Sequence, residues 1–304
     1  MSSGTGTDPD ERLHAPVGAS PAEIVVGVDG TYAACEALGW AARLARSTGS
    51  EVTAVYAWRP GLGELSSGSD RAARHELRNL RRWCRPVGDA GVDARTVVTQ
   101  GQPDHVLVEA ARSRGGARPR LLVLGRASPG SGLAHDHDHL CDRIARRLPA
   151  PMAVVPSPGA GRSLRRIVVG LDASASAVAA AVWSASVAAA LDADIAAVTI
   201  FEPTAEWVPR SDPGSMWSKV RRSLEGPWTQ PLRRRGVAFT SRVLEGTNVA
   251  ASLTQFARDR HADAIVVGLG DTGWRRHPGT HLVDHSHLPV ILVPADRTEG
   301  PETH

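Results

Sequence analysis

Residues 23 to 45 read EIVVGVDGTYAACEALGWAARLA, and residues 166 to 188 read RIVVGLDASASAVAAAVWSASVA. The two stretches align without a gap, so that Asp29 pairs with Asp172 and Trp40 pairs with Trp183 at one common separation along the chain. Each begins with a continuous β-branched run, which is typical of a strand covered on both faces, and continues into a helical pattern. The chain therefore repeats one strand-helix unit, and the repeat predicts two related domains.

The repeat extends to the later strands of each half. The predicted fourth strands, LLVLG and AIVVG, keep the common separation, whereas the last strands, PMAVVP and PVILVP, lie closer together along the chain. We infer that the second half has lost a net five residues, all between Gly268 and Pro289. The corresponding interval of the first half holds SGLAHDHDHLCD, residues 131–142.

Short apolar runs alternate with amphipathic stretches along each half. In the first half, strands are predicted near 23–28, 51–57, 93–99, 121–125 and 152–156, and helices near 33–48, 70–89, 104–114 and 139–147. This alternation predicts right-handed crossovers and a doubly wound α/β fold with parallel sheets, present twice in tandem. The segment SPGAGRS is rich in proline, glycine and serine, as linkers are. The predicted division is a tail at 1–21, a first domain at 22–157, a linker at 158–164, a second domain at 165–296 and a tail at 297–304.

Length and composition limit the class of protein. A chain of 304 residues with 42% hydrophobic and 22% charged residues has room for two buried cores. Its formal net charge is only +3, and its three cysteines are widely spaced, as in proteins of a reducing compartment. The sequence shows no apolar run near the roughly 18 residues of a membrane-spanning helix. We therefore expect a soluble, cytoplasmic protein with neither a nucleic-acid nor a membrane partner.

A carboxylate and a glycine recur at the predicted strand ends. Asp29 and Asp172 follow the first strand of each half, and Gly125 and Gly268 end the fourth. In open α/β sheets, ligands bind beyond the carboxyl ends of the strands, where the strand order reverses. Each aspartate could accept hydrogen bonds from an adenine amino group or a ribose hydroxyl, and each glycine could let a ligand approach the backbone. The alternative is that the aspartates only cap the helices that follow.

Several motifs in a fixed order carry a family resemblance. The first half contains IVVGVDG, ALGWAARLA, GQPDHVLVEAA and LLVLGRA, and the second half contains IVVGLDA, EGTNVAASLTQFA and AIVVGLG. Over nearly its whole length, the chain resembles a tandem pair of universal stress protein domains. The resemblance implies a Rossmann-like, adenine-nucleotide-α-hydrolase-like fold with five parallel strands per domain. It also implies that the last strands, at 152–156 and 289–294, pair to make an intramolecular pseudo-dimer, and it leaves a homodimer of whole chains open.

The ATP-binding branch of this family holds phosphates with the pattern Gly-x2-Gly-x9-Gly-(Ser/Thr), and both halves depart from it. In the first half, the second glycine position holds Ser128, and the closing pair is Asp138-His139. In the second half, that glycine position holds Asp271. The resemblance therefore implies at most weak binding of ATP or another adenine nucleotide near Asp29 or Asp172. The candidate phosphate contacts are Gly125, Ser128, Gly130 and Gly132 in the first half and Gly268, Gly270, Gly279 and Thr280 in the second.

The histidine stretch takes the place of the first-half phosphate loop. We predict a polar turn in which Asp138 caps the next helix, where its charge would oppose a phosphate by up to roughly 4 kcal/mol before screening. His135, His137 and His139 could instead bind zinc or nickel, together with Cys141 or an aspartate. Their spacing matches no established zinc module, so we expect no metal cofactor.

The sequence carries no recognisable catalytic motif. It contains neither a Gly-x-Ser-x-Gly elbow after a strand nor a Walker loop nor an HExxH helix. The leading interpretation is a stress-response regulatory module that binds a ligand and is not an enzyme. The alternatives are a structural or partner-binding pseudo-dimer that has lost both nucleotide sites, a metal-binding protein and a weak ATPase.

Overall fold

Strands and helices alternate through both halves of the chain. The computed structural model describes residues 20–58, 69–84, 87–88, 91–112, 120–126, 134–157, 163–202, 213–270 and 278–295. The strands are β1 (Glu23–Gly27), β2 (Glu51–Trp58), β3 (Ala94–Gln100), β4 (Arg120–Arg126), β5 (Met152–Pro156), β6 (Arg166–Gly170), β7 (Asp194–Phe201), β8 (Phe239–Glu245), β9 (Ala264–Leu269) and β10 (Val290–Pro294). The helices are α1 (Tyr32–Thr48), α2 (Ser69–Trp83), α3 (Pro103–Ala111), α4 (Ala134–Ala145), α5 (Ala175–Leu191), α6 (Pro213–Glu225), α7 (Gln230–Arg234), α8 (Val249–Asp259) and α9 (Pro278–His285).

All ten strands belong to one sheet, in the order β3-β2-β1-β4-β5-β10-β9-β6-β7-β8. Strands within each half run parallel, and the order reverses between β1 and β4 and between β6 and β9. The halves meet where β5 and β10 pair in antiparallel orientation, with Val154 opposite Val290. The predicted doubly wound fold, with five strands in each half, and the predicted pairing of the last strands are confirmed.

The continuous apolar runs form strands that are covered on both faces. Ile24 and Val26 belong to the core on one face of the sheet and Val25 to the core on the other, and each is at most 1% exposed. Helices α1, α2, α5, α6 and α7 contribute to the first core, and helices α3, α4, α8 and α9 contribute to the second. Because neither face meets water, these strands show no alternation of apolar and polar residues.

The first helix of each half is held by a hydroxyl cap. The side chain of Thr31 accepts a hydrogen bond from the backbone N–H of Ala34, and Ser174 accepts one from Ala177. These caps satisfy amides that the first helical turn leaves without a partner. They fix the start of α1 and α5 a few residues beyond β1 and β6, which sets the geometry of the strand-end loops.

The two halves also pack through their first helices. Trp40 and Leu44 of α1 and Leu191 of α5 surround a small cavity of about 140 Å³ together with Leu164. Leu164 lies in the predicted linker and is only 5% exposed. The described end of that segment is therefore part of the interface between the halves.

Two details of the predicted layout are wrong. Val52 of β2 and Ile195 of β7 are separated along the chain by the same number of residues as Asp29 and Asp172. The residues that pair with them in the neighbouring strands, Ala94 of β3 and Phe239 of β8, are separated by two residues more. The second half therefore gains two residues before β8 and loses them again before β9, so length changes are not confined to the interval after Gly268. Helix α2 is also shorter than the predicted 70–89 and ends at Trp83.

Among the described residues, no helix has both the length and the apolar character that a membrane span requires.

Candidate functional site

A cleft of about 560 Å³ opens at the carboxyl edge of the first-half sheet. The residues at the ends of β1, β2 and β4 form its floor, and its walls come from the segment after β3 and from α4. This is the point where the strand order reverses, at which open α/β sheets bind ligands. Its volume falls in the range of small-molecule pockets, about 300 to 1,000 Å³.

Asp29 lies in an exposed turn two residues after the end of β1 and lines this cleft. Its Oδ1 accepts hydrogen bonds from the backbone N–H of Thr31 at 2.9 Å and from the Thr31 hydroxyl at 2.6 Å. The alternative that Asp29 itself caps α1 is wrong, because the cap is Thr31, whose Oγ1 accepts from Ala34 at 3.2 Å. Asp29 instead makes an Asx-type turn that orients the cap, which short acidic side chains readily do.

An aromatic wall supports the Asp29 turn. Gly30 has φ of +82°, and a Cβ there would lie 2.5 Å from Cζ2 of Trp83, so the indole packs directly on the glycine. Trp83 also meets Tyr56 edge to face, with ring centroids 5.7 Å apart, and Tyr56 lines the cleft. Glycine is required here both for its left-handed backbone and for the space that it leaves. The second half has Ala173 at the equivalent position.

The glycines next to the last residue of β4 and of β9 have a packing role. A Cβ on Gly125 would lie 2.2 Å from the carbonyl oxygen of Ala33, and a Cβ on Gly268 would lie 2.3 Å from the carbonyl carbon of Ser176. The first turns of α1 and α5 therefore approach the strands closely enough to exclude any side chain. Gly125 also lines the cleft. Contact between either glycine and a ligand stays a prediction.

One wall of the cleft carries a cation. Gln102, Pro103 and Cys141 line this side together with Arg143 of α4. The Nε of Arg143 lies 3.4 Å from Oδ2 of Asp104, and the side chain of Asp104 is 8% exposed while that of Arg143 is 48% exposed. A buried carboxylate thus holds a half-exposed guanidinium at the rim of the cleft.

The second half repeats the turn and differs in the wall. Asp172 Oδ1 accepts a hydrogen bond from the backbone N–H of Ser174 at 2.8 Å, as Asp29 does from Thr31. Thr199 stands at the position equivalent to Tyr56, and its hydroxyl donates to the carbonyl oxygen of Leu171 at 2.8 Å. In the second half, the side chain at this position is therefore hydrogen-bonded to the backbone. In the first half, the equivalent side chain is an aromatic ring that lines the cleft.

The histidine stretch belongs to helix α4, which begins at Ala134. Asp138 therefore lies inside the helix, and the prediction that it caps a helix starting near residue 139 is wrong. The helix extends backwards because Leu140, Cys141 and Ile144 supply the apolar spacing that packs it on the sheet, and the residues before them continue the same helix.

Several of the predicted site residues can be placed only in part. Ser128, Gly130 and Gly132 lie outside the described residues, as do the side chains of His135, His137 and His139. Gly270 directly follows β9, and Gly279 and Thr280 lie in the first turn of α9. Within the described part of the chain, no three histidine, cysteine, aspartate or glutamate residues form a group that could hold a metal ion. A metal site at the histidine stretch stays a hypothesis.

Two cysteines on the same face of the sheet as the aromatic wall are poor nucleophiles. Burial raises the pKa of the Cys84 thiol to about 11, with a smaller contribution from Cys35. Burial also raises the pKa of Cys35, and the charges of Asp29 and Glu36 add to the effect. Both thiols are therefore neutral near pH 7, and neither has the thiolate character of a catalytic cysteine.

Sequence reasoning found Asp29 and Gly125 but missed most of the cleft walls. Tyr56 lies near the end of the second strand, Gln102 follows the third, and Arg143 is in the last turn of a helix, so only the tertiary fold brings them together. The predicted ends of β2 and β3 could have indicated Tyr56 and Gln102 as cleft residues, because the carboxyl ends of parallel strands lie at the same edge of the sheet. No local pattern marks Arg143.

Comparison with known proteins identifies the family. The signature of the Universal stress protein family matches residues 22–156 and 163–294. A universal stress protein from Archaeoglobus fulgidus DSM 4304 is similar in structure over 90% of this chain and 99% of its own, with 14% identity and a TM-score of 0.68. A protein from Pseudomonas aeruginosa UCBPP-PA14 is similar over 91% of this chain and 94% of its own, with 13% identity and a TM-score of 0.57.

Shorter relatives match one half of the chain. A universal stress protein solved in complex with cAMP is 21% identical, covers 44% of this chain and 99% of its own, and has a TM-score of 0.35. No curated protein matches the sequence significantly. The two matched segments nevertheless account for most of the chain and coincide with the two halves of the sheet. The chain therefore belongs to the universal stress protein family, a family of stress-response proteins, and carries the domain of that family twice.

Proposed function

We propose that this protein is a tandem regulatory module that binds an adenine nucleotide, weakly, in the first-half cleft. The observation that carries the proposal is the cleft of about 560 Å³ at the reversal of strand order. It is lined by Asp29 and Gly125, two of the residues that the sequence predicts for such a site.

The floor of the cleft suits a purine ring. Val28, Val55 and Leu124 offer apolar surface, and Tyr56 offers an aromatic one. Pockets for small ligands combine such surface with a few polar groups that fix orientation. Asp29 supplies a carboxylate that can accept a hydrogen bond from an exocyclic amino group or from a ribose hydroxyl.

Arg143 is the group that suits a phosphate. Its guanidinium can bind phosphate oxygens in a bidentate manner, and Asp104 holds it in place. Among the described residues that line the cleft, Arg143 is the only cation. Because only one described cation lines the cleft and the sequence departs from the phosphate-loop pattern, we expect the nucleotide to bind weakly.

The first half is the better candidate of the two. Its cleft is supported by Trp83 and Tyr56, whereas Thr199 in the second half is hydrogen-bonded to the backbone of Leu171. We therefore expect one nucleotide per chain.

Binding is proposed here in preference to catalysis. Asp29 is the only carboxylate among the described residues that line the cleft, and its Oδ1 already accepts two hydrogen bonds from Thr31. That geometry is poor for a general base, which must reach the proton of the attacking water. Phosphate release from ATP that Asp29→Asn abolishes would favour the weak-ATPase alternative.

Equilibrium dialysis with labelled ATP, ADP and AMP tests the proposal. Asp29→Asn keeps an acceptor for Thr31 but removes the charge, and we expect it to weaken binding about tenfold, the usual effect of losing a charge-assisted hydrogen bond. Asp172→Asn is the matched control in the second half and should bind like wild type. No binding of any of the three at millimolar nucleotide would refute the proposal and favour a partner-binding pseudo-dimer, which the altered phosphate-loop patterns of both halves also support.

A further inference from the structure

Helix α2 presents a row of arginines to solvent. Arg74, Arg78, Arg81 and Arg82, here called the α2 row, are all exposed. We propose that the α2 row binds the phosphate backbone of a double-stranded nucleic acid. This inference does not depend on the nucleotide cleft.

The α2 row lies on one side of the helix. At 3.6 residues per turn, positions 74, 78, 81 and 82 fall within about a quarter of the helical circumference and extend about 12 Å along the axis. The other side packs on the sheet, with Leu80 fully buried and Cys84 7% exposed. Packing therefore holds the helix in place and leaves the α2 row facing outward.

Positive charge is concentrated on this helix. The 15 residues of α2 contain five arginines, one aspartate and one glutamate, a formal charge of +3. The whole chain of 304 residues also has a formal net charge of +3. The small net charge of the whole sequence predicts no nucleic-acid partner. That net value, however, conceals a local excess of positive charge on α2, which is large for the surface of a single helix.

No arginine of the α2 row forms an ion pair with a described residue. In the corresponding helix of the second half, α6, one arginine is paired, because Arg221 lies 2.8 Å from Glu225. The charge of the α2 row is thus not neutralised by an ion pair within the described part of the protein.

The chemistry of the α2 row favours a nucleic-acid backbone over other polyanions. Guanidinium groups match phosphate in bidentate geometry, and a duplex offers a rigid, closely spaced series of phosphates. Trp83 packs against Gly30 and Tyr56, so it is not placed to stack on bases. The described residues on the exposed side are arginines and one histidine, with no apolar group to insert into a bilayer. Contacts would therefore be to phosphates alone, without sequence preference.

Fluorescence anisotropy with a short fluorescein-labelled DNA duplex tests this inference on the full chain. Titrations between about 50 and about 200 mM potassium chloride should give a slope of log K against log salt near −3.6, since each of four phosphates contributes about −0.9. A variant with Arg74, Arg78, Arg81 and Arg82 all replaced by Gln should bind about tenfold or more weakly at the lowest salt, with a slope near zero.

The control removes the same charge elsewhere. Lys219, Arg222, Arg234 and Arg258 are also exposed, and replacing these four by Gln should leave most of the affinity and of the slope intact. Circular dichroism shows whether both variants keep the wild-type fold. Absence of binding by wild type at the lowest salt, or equal losses in the two variants, would overturn the inference. Binding to phosphatidylserine vesicles that requires the α2 row, without binding to the duplex, would overturn it in favour of a membrane surface.

Discussion

The guanidinium of Arg126 crosses from the first half into the second, where its Nη2 donates a hydrogen bond to the carbonyl oxygen of Ser286 at 2.5 Å. Its Nη1 donates to the carbonyl oxygen of Asp284 at 2.7 Å, and the residue is only 8% exposed. Arg126 ends β4, beside the cleft residue Gly125, and Ser286 directly follows α9. One side chain therefore satisfies carbonyl groups at a helix end and joins the cleft-bearing half to the other.

Replacing Arg126 should weaken the contact between the halves. Arg126→Met keeps most of the side-chain length but removes the donors, and we expect the free energy of unfolding to fall by about 2 kcal/mol, since buried carbonyls lose charged partners. Urea unfolding followed by circular dichroism measures this change. Arg146→Met, at an exposed position of the same half, should change the value by less than about 0.5 kcal/mol. Equal effects of the two substitutions would contradict the role given to Arg126.

The strand-end glycines should tolerate no side chain. Gly125→Ala and Gly268→Ala each place a Cβ against the helix backbone, and we expect each to lower the free energy of unfolding by about 3 kcal/mol. Gly39→Ala is the matched control, because the nearest atom to its Cβ is a flexible arginine nitrogen at 3.5 Å, and it should stabilise α1 by up to about 1 kcal/mol. Thermal unfolding of the three variants decides the point. A mild effect of Gly125→Ala would show that these glycines are not needed for packing.

Burial of Cys84 predicts a dependence of stability on pH. Its pKa rises from 9.0 to about 11 in the folded protein, chiefly through burial. A raised folded-state pKa stabilises the protein fully below pH 9.0, and the contribution is lost as the pH rises towards about 11. We expect the stability difference between wild type and Cys84→Ala to narrow across this interval in urea unfolding. A difference that is constant with pH would argue against a buried neutral thiol.

The aromatic wall should matter for ligand binding, if the cleft binds a nucleotide. Trp83→Leu removes the ring that packs on Gly30 and Tyr56, and we expect the dissociation constant for ATP to rise about fivefold, or roughly 1 kcal/mol. Trp228→Leu replaces a half-buried tryptophan of the second half and should leave the constant unchanged. Equal constants for Trp83→Leu and wild type would show that the wall does not support the site.

Most of the fold could be predicted from the sequence because the repeat and the strand pattern are local signals. Runs such as Ile24 to Val26 indicate strands covered on both faces, and the alternation with helices fixes a parallel, doubly wound sheet. The register of β8 and the start of α4 could not be predicted. The second half gains two residues before β8 and loses two before β9, so the spacing between the outer motifs is unchanged and does not reveal the difference. The alternation of histidine and aspartate resembles a polar turn, and only the packing of Ile144 on the sheet shows that these residues belong to a helix.

Of the candidate site, only residues at the floor of the cleft could be predicted from the sequence. Asp29 and Gly125 stand at strand ends, where the position along the chain indicates the edge of the sheet. The packing of Trp83 on Gly30 and the pairing of Arg143 with Asp104 join segments that are distant in sequence. No sequence pattern within either segment predicts these contacts.

A crystal structure of the protein grown with an excess of ATP would test the central claim most directly. The account predicts density for one nucleotide per chain, with the base between the ends of β1 and β4 and within reach of Asp29. An empty first-half cleft at saturating ATP, or a nucleotide bound only beside Asp172, would contradict it.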